Sequence, residues 1–296
     1  MSQPIEQGRR KPITAEQVGS RLNAALAHGR KLQVTGGWAE AKEYLDGISG
    51  VIEAAQIGIL NERGLVNRMR GDYTAADRDF LIARAIAHSR GDFEGEITAI
   101  GGQIDLARTG DRDPNYKRGK DLEFAQALKN EAINVLFRIS DEWNLAKVNT
   151  FIQLGLLDHE LGDKEQALEE YALAEQGCRT LLKKKPRSAG LQNRLMRVLT
   201  IKGVTQTDLG QFEDAAASQK EAFRGYTKLH DVRGVVNAAR SLAEIAEKTG
   251  NIEAAIEWNQ KAVEASEQIM EGGEIKIIDP TGNKLASEAI LRLSKS

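Results

Sequence analysis

Residues 60–92 read LNERGLVNRMRGDYTAADRDFLIARAIAHSRGD. Apolar or small residues stand at Leu60, Gly64, Tyr73, Ala76, Phe80 and Ala83, at helical spacing on either side of Gly71-Asp72. Glycine tolerates the positive φ that ends a helix, and aspartate is a favoured N-cap. The stretch therefore predicts a helical hairpin with its turn at Gly71-Asp72. The Arg-Gly-Asp triplet at 70–72, and its second copy at 90–92, read as helix boundaries rather than as adhesion signals.

The same arrangement recurs along the chain. LDHELGDKEQALEEYALAEQ carries Gly162, Ala167, Tyr171 and Ala174; QTDLGQFEDAAASQKEAF carries Gly210, Phe212, Ala215 and Ala222. AEKTGNIEAAIEWNQKAV carries Gly250, Ile252, Ala255 and Ala262; upstream, QVTGGWAEAKEYLDGI carries Gly36, Trp38, Ala41, Leu45 and Ile48. Seven residues before each turn glycine stands a small residue: Gly29, Gly64, Gly155, Gly203 and Ala243. Two helices approach closely only where side chains are small, and a large neighbour fills the space beside them. A sixth copy is degenerate. EITAIGGQIDLARTGD offers Gly101 or Gly102 as its small residue, an inserted loop follows over 110–119, and Ala125 and Ala132 lie on its second helix.

These residues resemble the tetratricopeptide repeat (TPR). The resemblance implies an all-α, right-handed superhelical solenoid of about six helical hairpins over residues 14–272. Successive alanines at 41, 76, 125, 167, 215 and 255 lie further apart, for the most part, than the minimal TPR repeat of about 34 residues. In this the chain is similar to the extended repeats of peptide-sensing bacterial regulators, kinesin light chains and vesicle-fusion adaptors. Residues 1–13 read as a disordered tail. Residues 273–296 read as a tail or capping helix, with a turn signal at Asp279-Pro280-Thr281-Gly282 and an amphipathic stretch from Leu285 to Leu293.

Composition agrees with a helical, soluble chain. Only five of 296 residues are proline, and net charge is −2, which favours neither a nucleic-acid binder nor an acidic tail. Cys178 is the sole cysteine, so an intramolecular disulfide and a cysteine-based zinc site are excluded. The first residues lack the apolar core of a signal peptide, and no apolar run reaches membrane-helix length. The expectation is a cytoplasmic protein without nucleic-acid or membrane partners.

A search for chemistry yields no constellation. His28, His88, His159 and His230 have no partner cluster, and His159-Glu160 lacks a second zinc-helix histidine. Asp111, Asp113 and Asn115 have calcium-loop spacing, but Tyr116 stands where a sharp turn needs glycine and Leu122 where a bidentate glutamate belongs. Gly119-Lys120 lacks the remainder of a phosphate loop. Cys178 reads as a small buried residue, and Lys183, Lys184 and Lys185 as cations closing a helix. Arg9, Arg10 and Lys11 read as part of a solvated tail. No enzyme activity, cofactor or metal is expected.

The resemblance implies that the first helix of each repeat lines a concave groove. The inward positions are Asn23 and Arg30; Asn61 and Arg68; Asn149, Ile152, Leu156 and His159; Arg197, Thr200 and Thr207; and Asn237, Arg240, Glu244 and Glu247, with Gln153 close by. Asparagine and glutamine can hydrogen-bond an extended backbone, and arginine can hold a carboxylate bidentately. The expected binding set is Asn61, Arg68, Asn149, Gln153, Arg197, Asn237, Arg240 and Glu244, and the expected partner is a protein or extended peptide. The acidic-tail clamp of co-chaperone TPR domains is not supported, because Leu26 and Arg30 occupy its lysine and asparagine positions. A peptide-responsive regulator that changes superhelical pitch, and a self-assembling structural subunit or homo-oligomer, are the alternatives.

Overall fold

The computed structural model describes residues 22, 24–28, 31, 38–269 and 275–294. The N-terminal tail, Asn23, Gly29, Arg30, Gly36 and Gly272-Gly273 lie outside the described residues. The chain divides into two compact units, 1–59 and 60–296. In the first, Ala41 and Ile57 are buried and the rings of His28 and Tyr44 meet edge-on at 4.8 Å.

Helix α1 (Trp38–Met69) runs through Gly47 and Gly58 without a break. Both glycines have open space around them. A helical glycine costs only about 1 kcal/mol relative to alanine, and no proline interrupts the stretch, so the helix continues.

The second unit is an all-α solenoid. Its hairpins are residues 60–69 with α2 (Tyr73–Arg90), α3 (Phe93–Thr109) with α4 (Leu122–Leu136), and α5 (Leu145–Leu161) with α6 (Lys164–Lys184). They continue with α7 (Ala189–Asp208) and α8 (Phe212–Leu229), then α9 (Val232–Lys248) and α10 (Ile252–Ser266). Each hairpin packs on the next. A short antiparallel pair, β1 (Glu267–Ile269) and β2 (Ile275–Ile277), leads to α11 (Pro280–Leu293).

Both Arg-Gly-Asp triplets close one helix and start another. Gly71 and Gly91 have φ of 83° and 66°. The side chains of Asp72 and Asp92 accept hydrogen bonds from the N–H groups of Ala75 and Gly95, each at 2.9 Å.

The small residues do what close packing requires. A Cβ at Gly64 would lie 2.6 Å from the Phe80 ring, and one at Gly155 would lie 2.5 Å from the Tyr171 ring. At Gly203 the facing side chain is Gln219, which is fully buried and donates to Thr200 O at 2.9 Å.

A shared turn bond fixes the register of five repeats among the described residues. Asp72 N donates to Asn67 O, Asp163 N to Asp158 O, Gln211 N to Gln206 O and Asn251 N to Ala246 O. In the degenerate repeat the equivalent bond is Asp121 N to Ala107 O at 2.8 Å. By that bond the small-residue position is Ile104, not Gly101 or Gly102. The inserted loop displaced the turn glycine from which the sequence register was counted. Gly102 instead lies against Phe80 of the preceding repeat, where a Cβ would stand 2.5 Å from the ring.

Residues 108–120 replace a four-residue turn and fold back onto α2. Asp113 is buried; its Oδ2 accepts from Tyr73 N at 3.1 Å and its Oδ1 from Asn115 N at 2.9 Å. The Tyr116 ring meets Tyr73 at 5.9 Å, and burial pushes its hydroxyl pKa up to about 12. Arg118 pairs with Asp77 at 3.6 Å and lies 4.0 Å above the Phe124 ring. The calcium-like spacing thus belongs to a turn whose Asp113 carboxylate is spent on backbone amides.

Helix α11 begins at Pro280, earlier than the amphipathic pattern alone suggested. Asp279 is its N-cap, accepting from Gly282 N at 3.1 Å, and proline at the first position loses no hydrogen bond. Ala286 packs with Val236, Ala239 and Ala262. No described helix is long and apolar enough to cross a membrane.

Candidate functional site

Because the first helices of successive repeats are neighbours, their polar positions gather into clefts. A cleft of about 310 Å³ lies between residues 65–69 of α1 and helices α3, α5 and α7. Arg68, Asn149, Gln153 and Arg197 line it, together with Arg194, Thr150 and the apolar Leu65, Met69, Ile97 and Ile152. Gly101 opens the floor, since its missing side chain faces Thr150 and Gln153.

Charge in this cleft is unevenly neutralised. Arg68 pairs with the buried Asp105. Asp105 also lies 4.0 Å from Arg108, whose main partner is Glu160 at 3.0 Å; Lys120 reaches the same Glu160 at 3.2 Å. Arg194 and Arg197 have no acid at ion-pair distance among the described residues. Burial lowers the pKa of the Arg194 guanidinium, and the charge of Arg197 lowers it further, against the pull of Cys178 and Glu62. Arg194 Nε and Gln153 Oε1 are both buried without a hydrogen-bond partner among the described residues.

A second cleft, of about 460 Å³, lies between α7, α9, α10 and α11. Asn237, Arg240 and Glu244 line it with Thr200, Ser241 and Glu247. Helix α11 contributes Leu285, Ala289 and Arg292. Arg292 grips Glu247 through two bonds, of 2.5 and 2.8 Å, and holds that carboxyl below its usual pKa.

Asn61 lines neither cleft. It is buried, and its Nδ2 donates to Gly95 O at 3.2 Å, so its amide ties residues 60–69 to α3. Thr207 is also buried and donates to Gly203 O within its own helix. His159 pairs with Asp208 at 3.0 Å. Arg194, Asp105 and Arg292 escaped the sequence pattern. For Arg194 the signal was present: it stands one helical turn before Arg197, so both arginines share a face.

Among the described residues no group of three or more His, Cys, Asp or Glu side chains is placed to hold a metal ion. Cys178 is fully buried, and burial pushes its thiol pKa up to about 11.

These features define a helical-repeat protein with polar clefts between its first helices. The family model described as Tetratricopeptide repeat matches residues 241–269, from within α9 through β1. Among solved structures, the crystal structure of BtubC (BKLC) from P. vanneervenii is similar, with a TM-score of 0.54 and 18% identity. The similarity covers 79% of this chain and 83% of that one. No curated protein matches. The chain is a TPR-like repeat protein.

Proposed function

We propose that the chain is a non-catalytic, cytoplasmic interaction module that binds a partner protein or extended peptide along the first helices of its repeats. TPR repeats generally mediate protein–protein interaction. The observation that carries the reading here is the gathering of seven groove-position side chains into two clefts: Arg68, Asn149, Gln153 and Arg197 in one, Asn237, Arg240 and Glu244 in the other. Amide and guanidinium groups of this kind suit a main chain and its carboxylates.

The test is capture from native lysate by wild type and by the Asn149→Ala/Arg240→Ala variant, which removes one side chain from each cleft. A partner held by wild type and weakened at least about tenfold by the variant, with helical circular dichroism unchanged, supports the reading. A partner held equally by both moves the interface away from the clefts.

A further inference from the structure

We propose that the cleft between α1, α3, α5 and α7 is an anion subsite, in which Arg194 and Arg197 receive the carboxylate of an acidic residue in the bound peptide. The inference rests on the groove-binding reading and adds the chemistry of what the groove selects.

Among the described residues three guanidinium groups line this cleft, and only that of Arg68 has its acid, Asp105, in place. Arg194 is held in a half-buried position with a buried Nε that donates to nothing among the described residues. A buried donor without an acceptor is costly to leave so; the terminal nitrogens of the same guanidinium can take an incoming carboxylate, and a turn of the side chain toward it would restore the missing bond. Gln153 Oε1, also buried and without a partner among the described residues, becomes an acceptor for a peptide N–H when its side chain turns into the cleft. Arg197 is exposed at the mouth, adding a second positive charge next to the first.

The apolar lining argues for a peptide over a free anion. Leu65 and Met69 are 38% and 80% exposed on the wall of the cleft. A bare phosphate would satisfy the arginines and leave both side chains in water. An acidic residue beside an apolar one covers them. The subsite therefore fits a segment in which a glutamate or aspartate neighbours a leucine-like residue.

The probes are two fluorescein-labelled peptides, one alternating glutamate and leucine, the other alternating glutamine and leucine, read by anisotropy. The proteins are wild type, Arg194→Met/Arg197→Met and Asn237→Ala/Arg240→Ala, all full chain. The acidic peptide should bind wild type at least about tenfold more tightly than the glutamine peptide, and binding should weaken as salt rises. The Arg194→Met/Arg197→Met variant should lose at least about tenfold in affinity for the acidic peptide while its Tm stays level or rises. A merely structural arginine pair would lower Tm instead. Equal binding of both peptides, or no loss in the arginine variant, overturns the subsite. If the glutamine peptide binds wild type equally and is lost on Asn237→Ala/Arg240→Ala, the groove reading stands and the anion subsite falls. If neither peptide binds and inorganic phosphate alone raises the Tm of wild type but not of the arginine variant, the cleft takes free anions and the peptide assignment is overturned. If nothing binds, and capture does not distinguish Asn149→Ala/Arg240→Ala from wild type, both readings fall.

Discussion

Asp113 accepts the backbone N–H of Tyr73, forty positions earlier in the chain, at 3.1 Å. The bond joins the inserted loop to the start of α2 and satisfies an amide that the helix cannot satisfy itself. Asp113→Ala strips acceptors from two amides, those of Tyr73 and Asn115. It should lower stability by about 2 kcal/mol, or roughly 4–8 °C in Tm. Asp113→Asn, which retains one good acceptor, should fall between. Thermal scans of the three proteins check the order.

Two glycine-to-alanine changes should have opposite signs. At Gly155 a Cβ would meet the Tyr171 ring at 2.5 Å and Ala167 O at 3.1 Å, so Gly155→Ala should destabilise by about 1–3 kcal/mol. At Gly47 nothing lies within 4 Å, and the backbone is helical, so Gly47→Ala should stabilise locally by about 0.5–1 kcal/mol. Urea midpoints measured by circular dichroism distinguish the two.

The Glu170 carboxyl is pushed up by burial first, and the Asp158 carboxyl beside it likewise, with Lys129 only 2.5 Å from Asp158 in opposition. A carboxyl whose pKa is higher folded than unfolded favours the fold while it is protonated. That contribution is whole below the ordinary carboxylate pKa and fades as pH rises through the folded value. Glu170→Gln should therefore be more stable than wild type at pH 8, by about 1 kcal/mol, with the gap closing toward pH 4. Denaturation at the two pH values checks both sign and window.

Cys178, the single cysteine, should be almost inert to thiol reagents in the native protein. With its pKa at about 11, about one thiol in a thousand is ionised at pH 8, and the side chain is fully buried besides. Labelling should proceed at the rate at which helix α6 opens, and urea below the main transition should accelerate it. Labelling as fast as a free thiol's would contradict the burial.

Much of the repeat was legible because close packing leaves a one-letter trace. Gly64 under Phe80 and Gly155 under Tyr171 can be read from sequence alone, since almost any side chain there collides with a ring. The position facing the small residue was less legible. Gln219 and Asn259 fill it by hydrogen-bonding backbone carbonyls, and Lys129 fills it by pairing with Asp158. Residue type there follows from partners that lie on other turns or other repeats. Ile104 was missed because the loop removed the landmark glycine. Asn61 was assigned to the groove because amphipathic position does not tell which of two flanking helices an amide will meet. Arg194 lies outside the groove positions of the repeat; its one trace in the sequence is its place a helical turn before Arg197, and the burial of its guanidinium brings it forward.

The Phe80 ring is pinched between glycines from two different helices, Gly64 and Gly102, with no room for a methyl group on either side. The three positions therefore form one inheritance unit. A smaller side chain at 80 would release both glycines to become alanine, whereas either glycine changed alone would be selected against. Related chains should exchange these three residues as a set or not at all, which makes their joint variation a ruler for aligning distant copies of this fold.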